Sequence, residues 1–285
     1  MKNPMNIDPR ATDLLGYVMT WDVGSGKHDV VRIRESLLKA GLDESMVPNL
    51  NLKNAFVRAL RALSKDSLID TVAKDEHCIR FQLTDKHVEG RDYIEFTRKA
   101  IVTLELDSGN VHCADNNVEC SAKALLQSAM DLRTGPDISR YIKRMMESYG
   151  DMFPLNPSKG VTYFVPIHHF DLLSKVEKFV QDLGGSLPLW PVPMGTERGN
   201  ASVKVAVENG LETMAKDLEV ALETWDATTQ EYTKKRMWEK VEKLEFKMRS
   251  YSGYLQDRSS VAMDTLKDLR KKVQMKIEET EAETV

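Results

Sequence analysis

From Asn200 to Glu283 the chain carries no proline and only two glycines, and apolar residues recur every three or four positions. Val203, Val207, Leu211, Met214, Leu218, Ala221 or Leu222, and Trp225 form one stripe, which predicts a helix over residues 199–226. A turn follows at residues 226–229. From Gln230 a second helix carries Met237, Val241, Leu244, Met248, Tyr251 and Leu255 in alternating steps of four and three, the spacing of a heptad seam. The seam lapses at Arg258-Ser259-Ser260 and resumes, shifted, at Ala262, Leu266, Leu269, Val273 and Ile277. At 1.5 Å per residue the first helix spans about 28 residues or ~42 Å, and the second about 53 residues or ~80 Å. Folded back as a hairpin (coiled coil), the second helix outruns the first by roughly 25 residues, a length marginal for an isolated helix in water. Its apolar stripe must pack on the globular part or on another chain. Ala262, Leu266, Leu269, Val273 and Ile277 are therefore expected at a homo-oligomer or partner interface.

Upstream the pattern is mixed. Residues 10–20 read as a short helix, and Gly24-Ser25-Gly26 as a turn. Asp29 is placed to cap a helix with Val30, Ile33, Leu37 and Leu38 on one side, ending at Gly41. A polar turn containing Pro48 leads to a helix over 52–63, with Leu52, Phe56, Leu60 and Leu63 inward. Two β-like runs, 68–72 and 78–83, follow. That order suggests a winged-helix-like domain over residues 10–90. The central part, 91–195, reads as α+β. It begins with a β-branched and aromatic run over 93–106, a turn, and Val111, then helices at 118–132 and 136–149. A hairpin over 151–165 and a helix over 168–183 complete it, apart from a last strand around 187–194. Prolines 188, 191 and 193 confine that strand to a sheet edge or an extended arm. The fold class expected is α+β with three parts: a winged-helix-like domain (10–90), an α+β domain (91–195) and a long antiparallel helical hairpin (196–285).

Charge narrows the function. The net charge of −4 is spread evenly, with 13 basic against 13 acidic residues over 1–90, 11 against 13 over 91–195, and 16 against 18 over 196–285. No global positive field exists, so any nucleic-acid surface must be a local patch. Three cysteines, an odd number in a long chain, argue against a disulfide framework. No apolar run reaches the ~18 residues of a membrane helix and no signal core opens the chain, which predicts a cytoplasmic protein with no membrane partner.

Candidate chemistry is sparse. Gly24-Ser25-Gly26-Lys27 lacks the glycine at 21 and the Ser or Thr at 28 that a phosphate-binding loop needs, and reads as a plain turn. His112, Cys113 and Cys120 fit no zinc spacing. His168-His169-x-Asp171 gathers three potential ligands at a helix start, but adjacent helical positions diverge by about 100°. No metal, no cofactor and no catalytic residue is expected. The outer face of helix 52–63 offers Lys53, Asn54, Arg58, Arg61 and Lys65, and the following strands Lys74 and Arg80, types that contact phosphates and purine edges. The alternatives are a solvated face or a winged helix that binds protein. Arg140, Lys143 and Arg144 form a second, smaller patch. Trp190 in the proline-rich arm is either a docking residue or a strap between the central part and the hairpin.

The segments Leu132-Arg133-Thr134-Gly135-Pro136-Asp137, Gly160-Val161-Thr162-Tyr163-Phe164-Val165-Pro166 and Pro191-Val192-Pro193 resemble those of an uncharacterised family seen in phages and bacteria, a domain of unknown function. The resemblance covers most of the chain and implies no activity and no site residues. The function expected is that of a non-enzymatic adaptor or assembly protein, joined to itself or a partner by the C-terminal helices and contacting DNA through the N-terminal domain. The alternatives are an enzyme or enzyme subunit with a site between the central domain and the hairpin, or a regulator of a larger machine.

Overall fold

The structure is a computed structural model that describes residues 14–64, 67–89, 93–156, 161–225, 229–251 and 259–282. Residues 10–13, Lys65, Leu255 and Arg258, invoked above, lie outside the described residues. The chain combines α and β elements and divides into two compact units, one of residues 1–22, 146–174 and 186–285, the other of 23–145 and 175–185. The parts read from the sequence as N-terminal, central and C-terminal are thus interleaved.

The first unit is built on a four-stranded sheet in the order β10-β1-β9-β8. Its central strand β1 (Leu14–Met19) pairs antiparallel with β9 (Tyr163–Pro166) on one side and β10 (Leu189–Pro193) on the other. The short strand β8 (Phe153–Pro154) adds to β9. Residues 14–19 are therefore a strand and not the expected helix. Leu14, Leu15, Gly16, Tyr17 and Met19 are all buried, so an apolar run covered on both faces carries no period to distinguish helix from strand. Gly16 is required there, because a Cβ would run into the Val165 carbonyl and the Phe164 ring. Pro191 and Pro193 sit in the edge strand, where a missing N–H costs no ladder bond.

Three helices complete this unit: α6 (Glu197–Glu223), α7 (Glu231–Ser250) and α8 (Ser259–Ala282). The seam residues of α6 and α7 face one another as their spacing requires, with Val203, Val207, Leu211, Leu218, Met237, Val241, Leu244 and Met248 in one core. The expected second helix of ~80 Å is two helices, however. Leu266, Leu269 and Val273 of α8 belong to the same buried core, with Ile277 packed against it. Burying each such side chain is worth roughly 1.5–3 kcal/mol, more than enough to favour folding back over projecting into solvent. Polar contacts fix the packing: Arg270 pairs with Glu245 at 3.2 Å and lies 5.2 Å over the Trp238 ring, and Lys272 pairs with Glu219 at 3.0 Å. Of the two covers expected for the stripe, its own chain or another, Leu266, Leu269, Val273 and Ile277 take the first; Ala262 lies in α8, its side chain outside the description.

The second unit holds an antiparallel meander, β3 (Ser67–Lys74), β4 (Cys78–Glu89), β5 (Tyr93–Glu105) and β6 (Val111–Cys113), in that spatial order. Alternate residues Ile79, Phe81, Leu83, Val102 and Leu104 turn inward and share a core with α2 (Leu52–Leu63) and α3 (Asn116–Asp131). The inward positions predicted for α2 hold, with Phe56 and Leu60 fully buried. α1 (Val30–Lys39) is capped by Asp29, whose carboxylate accepts from the Val31 and Arg32 amides. The short β2 (Lys27–Asp29) pairs with β7 (Leu132–Thr134) and not with the meander. α4 (Gly135–Tyr149) and α5 (Phe170–Asp182) complete the described helices. None of these helices is long and apolar enough to cross a membrane.

Candidate functional site

Two segments of the first unit and the last turn of α7 bring five polar side chains together. After α4 the chain reaches Asp151, two residues before β8. After β9 it makes a 3₁₀ turn over Ile167–His169, which presents His168 and His169 before α5 begins. Lys247 and Tyr251, four positions apart at the end of α7, lie on one helical face and point to the same place.

Asp151 is the hub. It is only 8 % exposed, and three donors converge on its carboxylate. Lys247 Nζ forms an ion pair with Oδ1. His169 Nε2 lies 3.0 Å from Oδ2, and the Tyr251 hydroxyl donates to the same oxygen at 2.5 Å. His168 Nε2 stands 3.2 Å from the Tyr251 hydroxyl. The Tyr251 ring meets Phe153 edge-on, with centroids 5.1 Å apart, so an apolar contact orients the phenol. The two imidazoles lie side by side with centroids 4.1 Å apart.

The electrostatics follow from this packing. Burial alone would raise the Asp151 carboxyl; the hydrogen bonds from His169, Lys247 and Tyr251, with the Lys247 charge, outweigh it and hold the group well below the ordinary carboxylate range. His168, open to solvent at one edge, moves down, first because its packed side disfavours the cation and then because His169 is adjacent, against a smaller pull from Asp151. Lys243, one turn before Lys247, also moves down through burial and then repulsion by Lys247, while Asp151 and Glu147 oppose the shift. Its ammonium donates to the Glu147 carbonyl. A carboxylate, two imidazoles, an ammonium and a phenol in one cluster can exchange protons, hold a cation, or pin a helix to a sheet.

The sequence drew attention to His168 and His169 but paired them with Asp171, which is exposed on α5. The expected divergence of adjacent side chains is also corrected: these two histidines lie in a 3₁₀ turn and their rings stay in contact. Asp151, Lys247 and Tyr251 were not singled out. They are separated by about a hundred positions, and the visible trace is a tyrosine closing an otherwise aliphatic seam with a lysine one turn before it.

The nucleic-acid candidates do not form one free surface. Arg58 of α2 is engaged by Asp137, at 3.2 Å from Nη2 to Oδ1. Asp137 also accepts from the Thr134 amide at 3.0 Å and hydroxyl at 2.9 Å and pairs with Arg140 at 2.9 Å. Asn54 and Arg61 are exposed and Lys53 partly so, while Lys74 and Arg80 are exposed on β3 and β4. Trp190 stands half exposed on the edge strand β10, with Met194 exposed just beyond it. Cys78, Cys113 and Cys120 are all free thiols.

Residues 14–283 match a family described as a family of unknown function, DUF6744. The chain belongs to the DUF6744 family. The DUF6744 match takes in residues of both compact units, all five residues of the Asp151 cluster and the whole of α8. No curated protein and no solved structure matches the chain.

Proposed function

We propose that this DUF6744 protein is a non-enzymatic adaptor or assembly protein that self-associates through the outward faces of its C-terminal helices. The observation that carries the reading concerns α7. With the heptad seam closed inside the chain, Tyr232 and Phe246 remain 71 % exposed each. They lie fourteen residues apart, which on a helix places them within about 40° of one another and roughly 21 Å along the axis. Val220 of α6 and Met275 of α8 are also largely exposed. Large apolar side chains on several outward helix faces are more than scattered surface residues need supply, and buried aromatics dominate interface energetics.

The Asp151 cluster supports the same reading in its structural sense. Its carboxylate accepts from the 3₁₀ turn and from α7, and so ties the end of α7 to the 151–169 segment. The test is light scattering on the full chain at increasing concentration, beside a Tyr232→Glu/Phe246→Glu variant. The expected result is a mass at a multiple of 32.4 kDa that collapses to the single-chain value in the variant without loss of helicity. A wild-type chain that stays at 32.4 kDa at the highest concentration refutes self-association.

A second reading, an enzyme or enzyme subunit, is favoured by one observation: the cluster joins the 151–169 segment to α7 and contains a carboxyl group held well below its ordinary range by His169, Lys247 and Tyr251. The DNA reading keeps Lys53, Asn54, Arg61, Lys74 and Arg80 but draws less support from Arg58, whose charge Asp137 already meets. Salt-dependent duplex binding weakened by Arg61→Glu would favour it; no binding at low salt would exclude it.

A further inference from the structure

Beyond that reading, we infer that Asp151, His168 and His169 form a binding site for a divalent cation of the zinc class, with Tyr251 as the fourth donor. The geometry carries the inference. One ligand atom from each of the three residues lies within 4.8 Å of the others. Asp151 Oδ2 is 3.0 Å from His169 Nε2, and the Tyr251 oxygen is 3.2 Å from His168 Nε2. Two donors held at the 2.0–2.1 Å bond lengths of tetrahedral zinc are about 3.3 Å apart. Two edges of such a tetrahedron are therefore already near their final length. The Tyr251–Asp151 edge, at 2.5 Å, has to open, and the edges from His168 to Asp151 and His169, at most 4.8 Å, settle to the tetrahedral length as the imidazoles turn.

The donor set selects the metal. Two imidazole nitrogens, one carboxylate oxygen and a phenol oxygen suit Zn2+, Co2+ or Ni2+, whereas Ca2+ and Mg2+ want oxygen ligands in greater number. The surroundings supply an entry: His168 is exposed, while Asp151 and Tyr251 are buried. Positioning is also in place. Phe153 fixes the phenol ring edge-on, and the 3₁₀ turn holds the two rings in contact.

Lys247 decides how the site works. Its ammonium occupies Oδ1 of the same carboxylate and supplies the positive charge that Asp151 requires. A dication at Oδ2 and an ammonium at Oδ1 repel across one carboxylate, so the two compete. Binding is an exchange in which the cation takes over the charge of Lys247, the Lys247 side chain withdraws as an ammonium, each neutral imidazole offers one ring nitrogen with its proton on the other, and the Tyr251 phenol gives its proton to solvent as its oxygen coordinates.

The experiment uses the full chain, stripped with a chelator and titrated calorimetrically with Zn2+, with Mg2+ and Ca2+ as controls. Co2+ is added separately to read geometry from its visible absorption. The expected result is one Zn2+ per chain, no saturable heat from Mg2+ or Ca2+, and a tetrahedral Co2+ spectrum. His168→Gln, at the exposed edge of the cluster, should keep the wild-type circular dichroism and weaken Zn2+ binding by more than the roughly 10–100-fold that loss of an outer-shell partner costs. Lys247→Gln should bind Zn2+ more tightly than wild type. No saturable Zn2+ binding by the wild-type chain at micromolar concentration overturns the site, whatever the variants do. So does wild-type affinity in both His168→Gln and His169→Gln. Equal or weaker binding in Lys247→Gln overturns the exchange.

Discussion

Replacing Leu269 by alanine tests whether α8 belongs to the core of its own chain. Leu269 is fully buried, in one cluster with residues of α6 and α7. Truncation to alanine removes three methylene-sized groups from that core and leaves a cavity, since Arg270–Glu245 and Lys272–Glu219 anchor the helix on either side of the site. Leu→Ala changes of this kind cost about 2–5 kcal/mol, and little collapse into the space is available, so about 3 kcal/mol is expected. Lys271→Ala, at an exposed position of the same helix, should stay within about 0.5 kcal/mol. The assay is urea unfolding followed by circular dichroism at two protein concentrations tenfold apart. A covering helix from the same chain makes the Leu269→Ala loss independent of concentration; a covering helix from another chain makes it grow on dilution. A Leu269→Ala midpoint equal to that of wild type, or a loss that depends on concentration, refutes the intrachain packing described here.

Other perturbations separate further parts of the argument. Gly210→Ala in the middle of α6 should destabilise despite alanine's helix propensity, because the new Cβ would sit 2.6 Å from the buried Phe153 ring; overpacking of about 1–3 kcal/mol exceeds a propensity gain of about 1 kcal/mol. A Gly210→Ala chain that melts higher than wild type would show that Phe153 yields freely. Asp29→Ala should cost about 1 kcal/mol through loss of the α1 cap, read by thermal melting of the full chain, with Asp29→Asn close to wild type. Burial pushes the Asp137 carboxyl up, but the Thr134 amide and hydroxyl and the Arg58 charge outweigh it and lower the group. The folded state then binds fewer protons than the unfolded one, so the contribution of Asp137 is complete above the ordinary carboxylate value near ~4 and fades as pH falls below it. The stability gap between wild type and Asp137→Asn, measured by urea unfolding, should therefore narrow from pH 5 to pH 3; a gap that widens would be the wrong sign.

Much of the local structure was legible because periodicity is local. Met237, Val241, Leu244, Met248 and Tyr251 are buried where a heptad places them, and the alternation of Ile79, Phe81 and Leu83 identifies the inner face of β4. Asp29 and the prolines of β10 stand where their backbone chemistry puts them. Residues 14–19 were misread because a strand buried on both faces is apolar throughout and loses its period of two. The lapse in the seam was visible, but it fits both an α8 that continues the line of α7 and an α8 that packs beside it. Only tertiary packing of Leu266, Leu269 and Val273 separates them. The Asp151 cluster was the least legible part, since a carboxylate, a lysine and a tyrosine acquire meaning together only when about a hundred intervening residues have folded. The pairing of Arg58 with Asp137 is a similar case: a basic helix face looks open until the distant acid is placed beside it.

The position of β1 has a consequence for synthesis. Tyr17 pairs with Val165 on one side and with Pro191 on the other, so both neighbours of this strand come from more than a hundred residues downstream. At translation rates of roughly 5–20 residues per second, on the order of ten seconds pass before β9 leaves the ribosome, and β10 follows later. During that interval the sequence Leu14-Leu15-Gly16-Tyr17-Val18-Met19 is an uncovered apolar strand. The meander β3–β6, which pairs only through strands adjacent in sequence, can close before β9 and β10 arrive, although its unit also waits for residues 175–185. The meander is thus local in sequence, whereas the sheet around β1 has to wait for both of its distant neighbours.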